Sequence, residues 1–158
     1  MKKVLFVCTG NTCRSSMAEG IFNKMALDMD KQDDLKAFSA GVCAFDGDGA
    51  NPHAIKVLNE VFGIDISSHR SAKLKDSHIE NAYLILAMTK NHKNTIVSLF
   101  PQAIDKTFSL KEYVLGDNVT KDSLDVHDPY GRPIIVYENC ARDLKNIIEK
   151  LITRLEND

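Results

Sequence analysis

The chain predicts an α/β fold, a single-domain three-layer sandwich in which a four-stranded parallel sheet lies between helices on both faces. Three observations predict it. Short apolar runs alternate with segments whose apolar residues recur at helical spacing. The order strand-then-helix recurs along the chain, the arrangement that produces a parallel sheet with helices on both sides. The strands read as continuous apolar runs, as strands buried on both faces do. No repeat, low-complexity tract or linker interrupts the 158 residues, so residues 1–158 are expected to form one domain.

Val4-Leu5-Phe6-Val7, ending at Cys8, reads as the first strand, and Thr9-Gly10-Asn11-Thr12 carries turn chemistry. From Ser15, Met17, Ala18, Ile21, Phe22 and Met25 mark a helix, with Ser15 or a neighbour available as its N-cap. The acidic connector Asp28 to Asp34 leads to a second strand, Leu35 to Ala40, stopped by Gly41. Gly47, Gly49 and Asn51 mark a loop, and Pro52 opens a helix running to about Phe62 before Gly63. An irregular stretch and a short helix over Leu74 to Asn81 precede the clearest strand, Tyr83 to Met88. A helix over Asn91 to Phe100 stops at Pro101, and Lys106 to Leu110 is the fourth strand. A helical turn near Lys111 to Leu115 and a polar loop from Gly116 to Gly131 follow. The last helix starts at Ile134, with Ile135, Leu144, Ile147, Ile148, Leu151, Ile152 and Leu155 as its apolar stripe.

At 44% hydrophobic and 27% charged, the chain can bury a core and is not disordered. No apolar run approaches the roughly 20 residues of a membrane span. Lys2 and Lys3 precede only Val4 to Cys8, too short for a secretory signal core, so a cytoplasmic location is expected. A net charge of -2 and a pI near 6.2 give no basic footprint for nucleic acid or an anionic membrane. The four cysteines include no Cys-x-x-Cys pair, and the five histidines are scattered. Neither a disulfide scaffold nor a metal or other cofactor is expected. Cys43 and Cys140 read most simply as core thiols.

In such folds ligands sit beyond the carboxyl ends of the strands, which directs attention to the loop after Cys8. Cys8-Thr9-Gly10-Asn11-Thr12-Cys13-Arg14-Ser15 is long enough to curl with its N–H groups inward and to end on a helix N-terminus. Such a nest binds an anion and is a phosphate-binding P-loop in the broad sense. Gly10 is the expected holder of an unusual backbone angle. Arg14 offers a planar fork for two phosphoryl oxygens, and the same positive surroundings favour a thiolate at Cys8. A Cys-x5-Arg spacing alone is a weak signal. A buried strand before it, an amphipathic helix after it and Ser15 beside Arg14 give it weight against the ordinary alternative of a buried thiol and a surface arginine.

The stretch from Val7 to Glu19 resembles the signature of the low-molecular-weight protein tyrosine phosphatase family. Ser39-Ala40-Gly41, Asn51-Pro52-His53-Ala54, Ser68-His69 and Asp128-Pro129-Tyr130-Gly131 are similar to the family at comparable intervals. The resemblance implies Cys8 as nucleophile, Arg14 as phosphoryl clamp and Asp128 as general acid, with a phosphocysteine intermediate. It implies phosphorylated proteins as substrates and inorganic phosphate as product. Backbone N–H groups from Thr9 to Arg14 would stabilise the transition state, and Ser15 would donate to the Cys8 sulfur. Asn11, Ser39 and His69 would brace the loop, and Tyr130 would wall the pocket. A reversible Cys8–Cys13 disulfide is a further implication.

Thr12 departs from the aliphatic residue typical of the tyrosine phosphatases and resembles the family's protein arginine phosphatase branch. A hydroxyl can accept from a guanidinium, whereas an aliphatic side chain packs better on an aromatic ring. Thr12 and Tyr130 are therefore the expected selectivity residues. Phosphotyrosine is the alternative substrate. An arsenate reductase is disfavoured because Thr89 to Pro101 lacks a further cysteine, and a silent phosphate-binding module because nucleophile, arginine and acid are all present.

Overall fold

The computed structural model describes residues 1–116 and 124–158. Strand β1 (Lys2–Cys8) sends Val4, Phe6 and Cys8 into one apolar cluster and Leu5 and Val7 into another. That is the period-two alternation of a strand covered on both sides. It pairs in parallel with β2 (Leu35–Gly41) and β3 (Leu84–Ala87), and β3 pairs in parallel with β4 (Thr107–Ser109), giving the order β2-β1-β3-β4. The register sets Cys8 opposite Gly41, and Val7 opposite Ala40 and Ala87. Three strand ends thus finish level, beneath one face of the sheet's carboxyl edge.

Helices α1 (Arg14–Asp28), α2 (Pro52–Phe62), α5 (Leu110–Leu115) and α6 (Ile134–Glu156) cover the face holding Phe6. Helices α3 (Asp76–Asn81) and α4 (Lys90–Leu99) and a 3-10 turn (Pro101–Lys106) cover the other through Ile79, Ile96 and Ala103. Each fully buried Leu, Ile or Phe contributes roughly 1.5–3 kcal/mol, so both clusters hold the sheet flat against its helices. Local chemistry sets the helix ends. The Asn51 side chain accepts from the His53 N–H ahead of Pro52, and Gly63 closes α2 in the left-handed region at φ 66°. Ser109 and Glu112 form a capping box on α5, and the Thr89 hydroxyl accepts from the His92 N–H on α4. No helix among the described residues is long and apolar enough to cross a membrane.

The α/β sandwich and its four parallel strands match the sequence expectation, with local differences. Helix α3 begins at Asp76, not Leu74, because the Leu74 N–H is bonded to the Gly41 carbonyl at the end of β2. The 3-10 turn after Pro101 had no sequence signal apart from the proline. Ile135 is not part of the α6 stripe and is 55% exposed. It sits two positions, about 200°, from buried Tyr137, on the opposite side of the helix. Of the polar loop expected from Gly116 to Gly131, residues 117–123 lie outside the described residues.

Candidate active site

Strand β1 ends at Cys8 and α1 begins at Arg14, so Thr9–Cys13 must turn the chain through the carboxyl edge of the sheet. The scaffold takes up the outward carbonyls of this loop. Cys8 O accepts from Val42 N (3.0 Å), Thr9 O from Cys43 N (2.9 Å) and Thr12 O from Asn51 N (2.9 Å). Asn11 O accepts from Ser71 Oγ (2.9 Å) and lies 2.8 Å from His69 Nε2. A trans peptide sets its N–H opposite its C=O, so the N–H groups following these carbonyls turn to the concave side. Cys13 closes the loop as the N-cap of α1, with its carbonyl bonded to Met17 N and Ser16 Oγ.

The left-handed backbone angle falls on Asn11 (φ 60°), not on Gly10 as expected. A short polar side chain that bonds locally offsets the cost of that conformation. Asn11, fully buried, does so from both ends. Its Nδ2 donates to Ser15 Oγ (2.8 Å) and Ser39 Oγ (2.9 Å), and its Oδ1 accepts from Ala72 N (3.0 Å). Ser39 Oγ in turn donates a hydrogen bond to Glu19 Oε1 at 2.7 Å. The bracing expected of Asn11, Ser39 and His69 is present, and Ser71 joins it.

Cys8 Sγ lies 2.9 Å from Ser15 Oγ and accepts from Asn11 N at 3.3 Å. Because Ser15 Oγ already accepts from Asn11, its proton is left for the sulfur. Ser15 is therefore not the N-cap of α1. That position belongs to Cys13, which makes no side-chain cap.

Arg14 is 5% exposed, and its Nη1 donates to Val126 O at 3.3 Å while Nη2 lies 3.5 Å from Asp128 Oδ2. The Asp128 loop is pinned further by Val126 N to Met88 O (2.9 Å) and by Lys90 N to Asp125 Oδ1 (2.9 Å). Asp128 Oδ1 accepts from Tyr130 N at 3.0 Å, the side-chain turn an Asp-Pro pair begins. These parts enclose a cleft of about 360 Å³ with Cys8 and Arg14 at its floor, Thr9 and Thr12 in its wall, and Asp128 and Tyr130 at its mouth. Gly10 and Cys13 also line it, whereas Asn11 and Ser15 sit behind and shape it. A buried sulfur, a guanidinium and inward amides at the floor, with a carboxylate above, can bind a tetrahedral anion and move one proton.

Residues 3–158 match the low molecular weight phosphotyrosine protein phosphatase family. The chain belongs to that family. It is 43% identical to the protein-arginine-phosphatase of Geobacillus stearothermophilus over 99% of this chain and 97% of that protein. A family structure, the low molecular weight protein tyrosine phosphatase of T. tengcongensis, superposes with a TM-score of 0.90 at 46% identity, covering 98% of this chain and 99% of the other. A mutant of the arginine phosphatase YwlE with a phosphorylated active-site serine superposes with a TM-score of 0.90 at 39% identity, covering 99% and 97%.

Several site contacts go beyond the roles expected from the sequence. His92, on α4, places Nε2 2.8 Å from Thr9 Oγ1, while its buried Nδ1 has no partner among the described residues. Burial, and next the Arg14 charge, push the His92 imidazole down to about 4. Gly41 looked like a strand stop; a Cβ there would lie 2.4 Å from Thr9 O. The cysteine expectations divide. Cys140 is a core thiol that burial pushes up to about 12. Cys43 is exposed and lines the catalytic cleft, because its backbone is drawn onto Thr9 O at the loop's edge. Cys13 is a buried free thiol, raised by burial and 3.7 Å from Tyr137 Oη.

Proposed function

We propose that this chain is a cysteine-dependent protein phosphatase that hydrolyses phosphoarginine in proteins through a phosphocysteine intermediate. The observation that carries the proposal is the Cys8 sulfur, bonded to Asn11 N and Ser15 Oγ on the floor of a cleft that also holds Arg14 and Asp128. In the first step the Cys8 thiolate attacks phosphorus and the P–N bond breaks. Asp128 gives its proton to the departing guanidine nitrogen, while Arg14 and the loop amides hold the phosphoryl oxygens. In the second step a water loses a proton to Asp128 and attacks phosphorus. The P–S bond breaks, releasing inorganic phosphate and restoring the thiolate. The nucleophile of the first step, the phosphoryl clamp and the proton donor all come from the chain.

Thr12 in the cleft wall supports phosphoarginine over phosphotyrosine, since its hydroxyl can accept from a guanidinium N–H. The arginine phosphatase likeness across nearly the whole chain supports the same substrate. Phosphotyrosine is the second reading, favoured by the likeness to the T. tengcongensis enzyme and by exposed Tyr130 at the mouth. Turnover of phosphoarginine and phosphotyrosine peptides by the parent and Thr12→Ile separates them. The proposal expects the parent to prefer phosphoarginine and the variant to lose about tenfold of that preference, the effect of one good hydrogen bond. A parent that turns over phosphotyrosine alone contradicts it.

A further inference from the structure

We propose that Asp48, a carboxylate lining the mouth of the cleft whose floor is Cys8 and Arg14, is a specificity-determining residue that receives the guanidinium of phosphoarginine. The inference rests on the phosphoarginine reading above and deepens it.

Asp48 belongs to the loop between β2 and α2, and it lines the same cleft as Cys8, Thr12 and Asp128. Its backbone is fixed to the catalytic loop. Asp48 O accepts from Ser71 N at 2.7 Å, Gly47 N donates to Ser71 O at 2.9 Å, and Ser71 Oγ donates to Asn11 O at 2.9 Å. Gly49 bridges Arg70 on the same segment. One residue, Ser71, thus couples the position of Asp48 to the cradle that holds Cys8.

The carboxylate itself is uncommitted. Its neighbour Asp46 accepts from Lys73 N at 2.8 Å and lies 3.6 Å from Lys75 Nζ, a structural role. Asp48 is exposed and makes no side-chain hydrogen bond or ion pair with another described residue. Asp128, the other carboxylate of the cleft, is partly neutralised by Arg14 at 3.5 Å.

Charge therefore changes sign along the cleft: a guanidinium and inward amides at the floor, two carboxylates toward solvent. An anionic substrate must pass those carboxylates. Phosphotyrosine brings a phosphoryl dianion on a neutral ring and gains nothing from them. Phosphoarginine has the complementary polarity, since its phosphoryl group is bonded directly to a cationic guanidinium. With the phosphoryl on the floor, the guanidinium lies one bond further out, between Thr12, Asp128 and Asp48. Like charge disfavours one substrate and opposite charge favours the other, so a single carboxylate acts on both sides of the discrimination.

The test compares kcat/KM of the full chain, Asp48→Asn and Asp48→Glu on phosphoarginine and phosphotyrosine peptides of one flanking sequence, at low and high salt. Asp48→Asn is expected to lower kcat/KM on phosphoarginine about fivefold, through KM, as befits a partly exposed ion pair. On phosphotyrosine it raises kcat/KM, Asp48→Glu restores the parental preference, and added salt narrows the parent-variant difference. Equal losses on both substrates would assign Asp48 a loop-shaping role and overturn the proposal, as would an unchanged preference. A parent that fails to hydrolyse phosphoarginine overturns the underlying reading, whereas a parent that hydrolyses it with Asp48→Asn behaving identically overturns this inference alone.

Discussion

Thr9 Oγ1 lies 2.8 Å from His92 Nε2, across 83 positions of sequence, and ties the catalytic loop to the first turn of α4. Among the described residues Nδ1 has no partner, which favours one tautomer. A buried N–H without an acceptor costs more than a bare ring nitrogen, so the proton sits on Nε2 and is donated to Thr9. The Thr9 hydroxyl keeps its own proton for the cleft.

His92 makes stability depend on pH. Its folded-state value, about 4, lies below the ordinary histidine value near 6.5, so the unfolded chain binds more protons between them. The contribution is fully present above about pH 6.5 and is lost as pH falls toward about 4. Urea melts across that window should show stability falling with acid, and His92→Phe should flatten the slope. An equal slope in both proteins would remove His92 as its source.

Asn11→Ala should destabilise the fold by about 2–4 kcal/mol, combining a strained φ with lost buried hydrogen bonds. Asn11→Gly relieves the backbone and keeps only the second cost, so it should unfold at higher denaturant than the alanine variant. The opposite order would place the strain elsewhere.

Gly41→Ala brings a methyl against backbone at Thr9 O and Asn11 N, with no flexible side chain to yield. A cost of about 1–3 kcal/mol and a loss of turnover larger than the loss of folded protein are expected, because the displaced atoms shape the anion cradle. Calorimetry with single-turnover rates checks both; a silent substitution contradicts the packing described.

Asp128→Asn should slow turnover by about 10²–10⁴ on substrates with poor leaving groups and far less on activated aryl phosphates. A uniform effect across leaving-group basicity would take the proton-donor role from Asp128.

Much of the sheet was legible because β1 and β3 are short apolar runs bounded by turn residues. Cys8 and Arg14 stood out because a strand end, a turn and a helix start carry local signatures, whereas Asp128 came only with the family resemblance, since an Asp-Pro pair by itself reads as a turn. The parts that escaped depend on contacts between distant segments. Gly41 looks like a strand stop until the loop passes over it, and Ser71 and His92 have nothing beside them in sequence to connect them with Asn11 or Thr9. The left-handed position went to Asn11 because three partners from separate segments converge on its amide, where local propensity pointed to Gly10. Cys43 shows the same limit, since composition favours a core thiol and only the bond to Thr9 O brings it to the cleft.

The nucleophile is tested most directly by acid-quenching the parent enzyme during turnover of a phosphoarginine peptide and locating the trapped phosphoryl group by mass spectrometry. The account predicts one phosphoryl group, on the Cys8 peptide, formed and consumed at rates that accommodate kcat, and none with Cys8→Ala. Steady turnover by Cys8→Ala, or a kinetically competent phosphoryl group on any other residue, would contradict it.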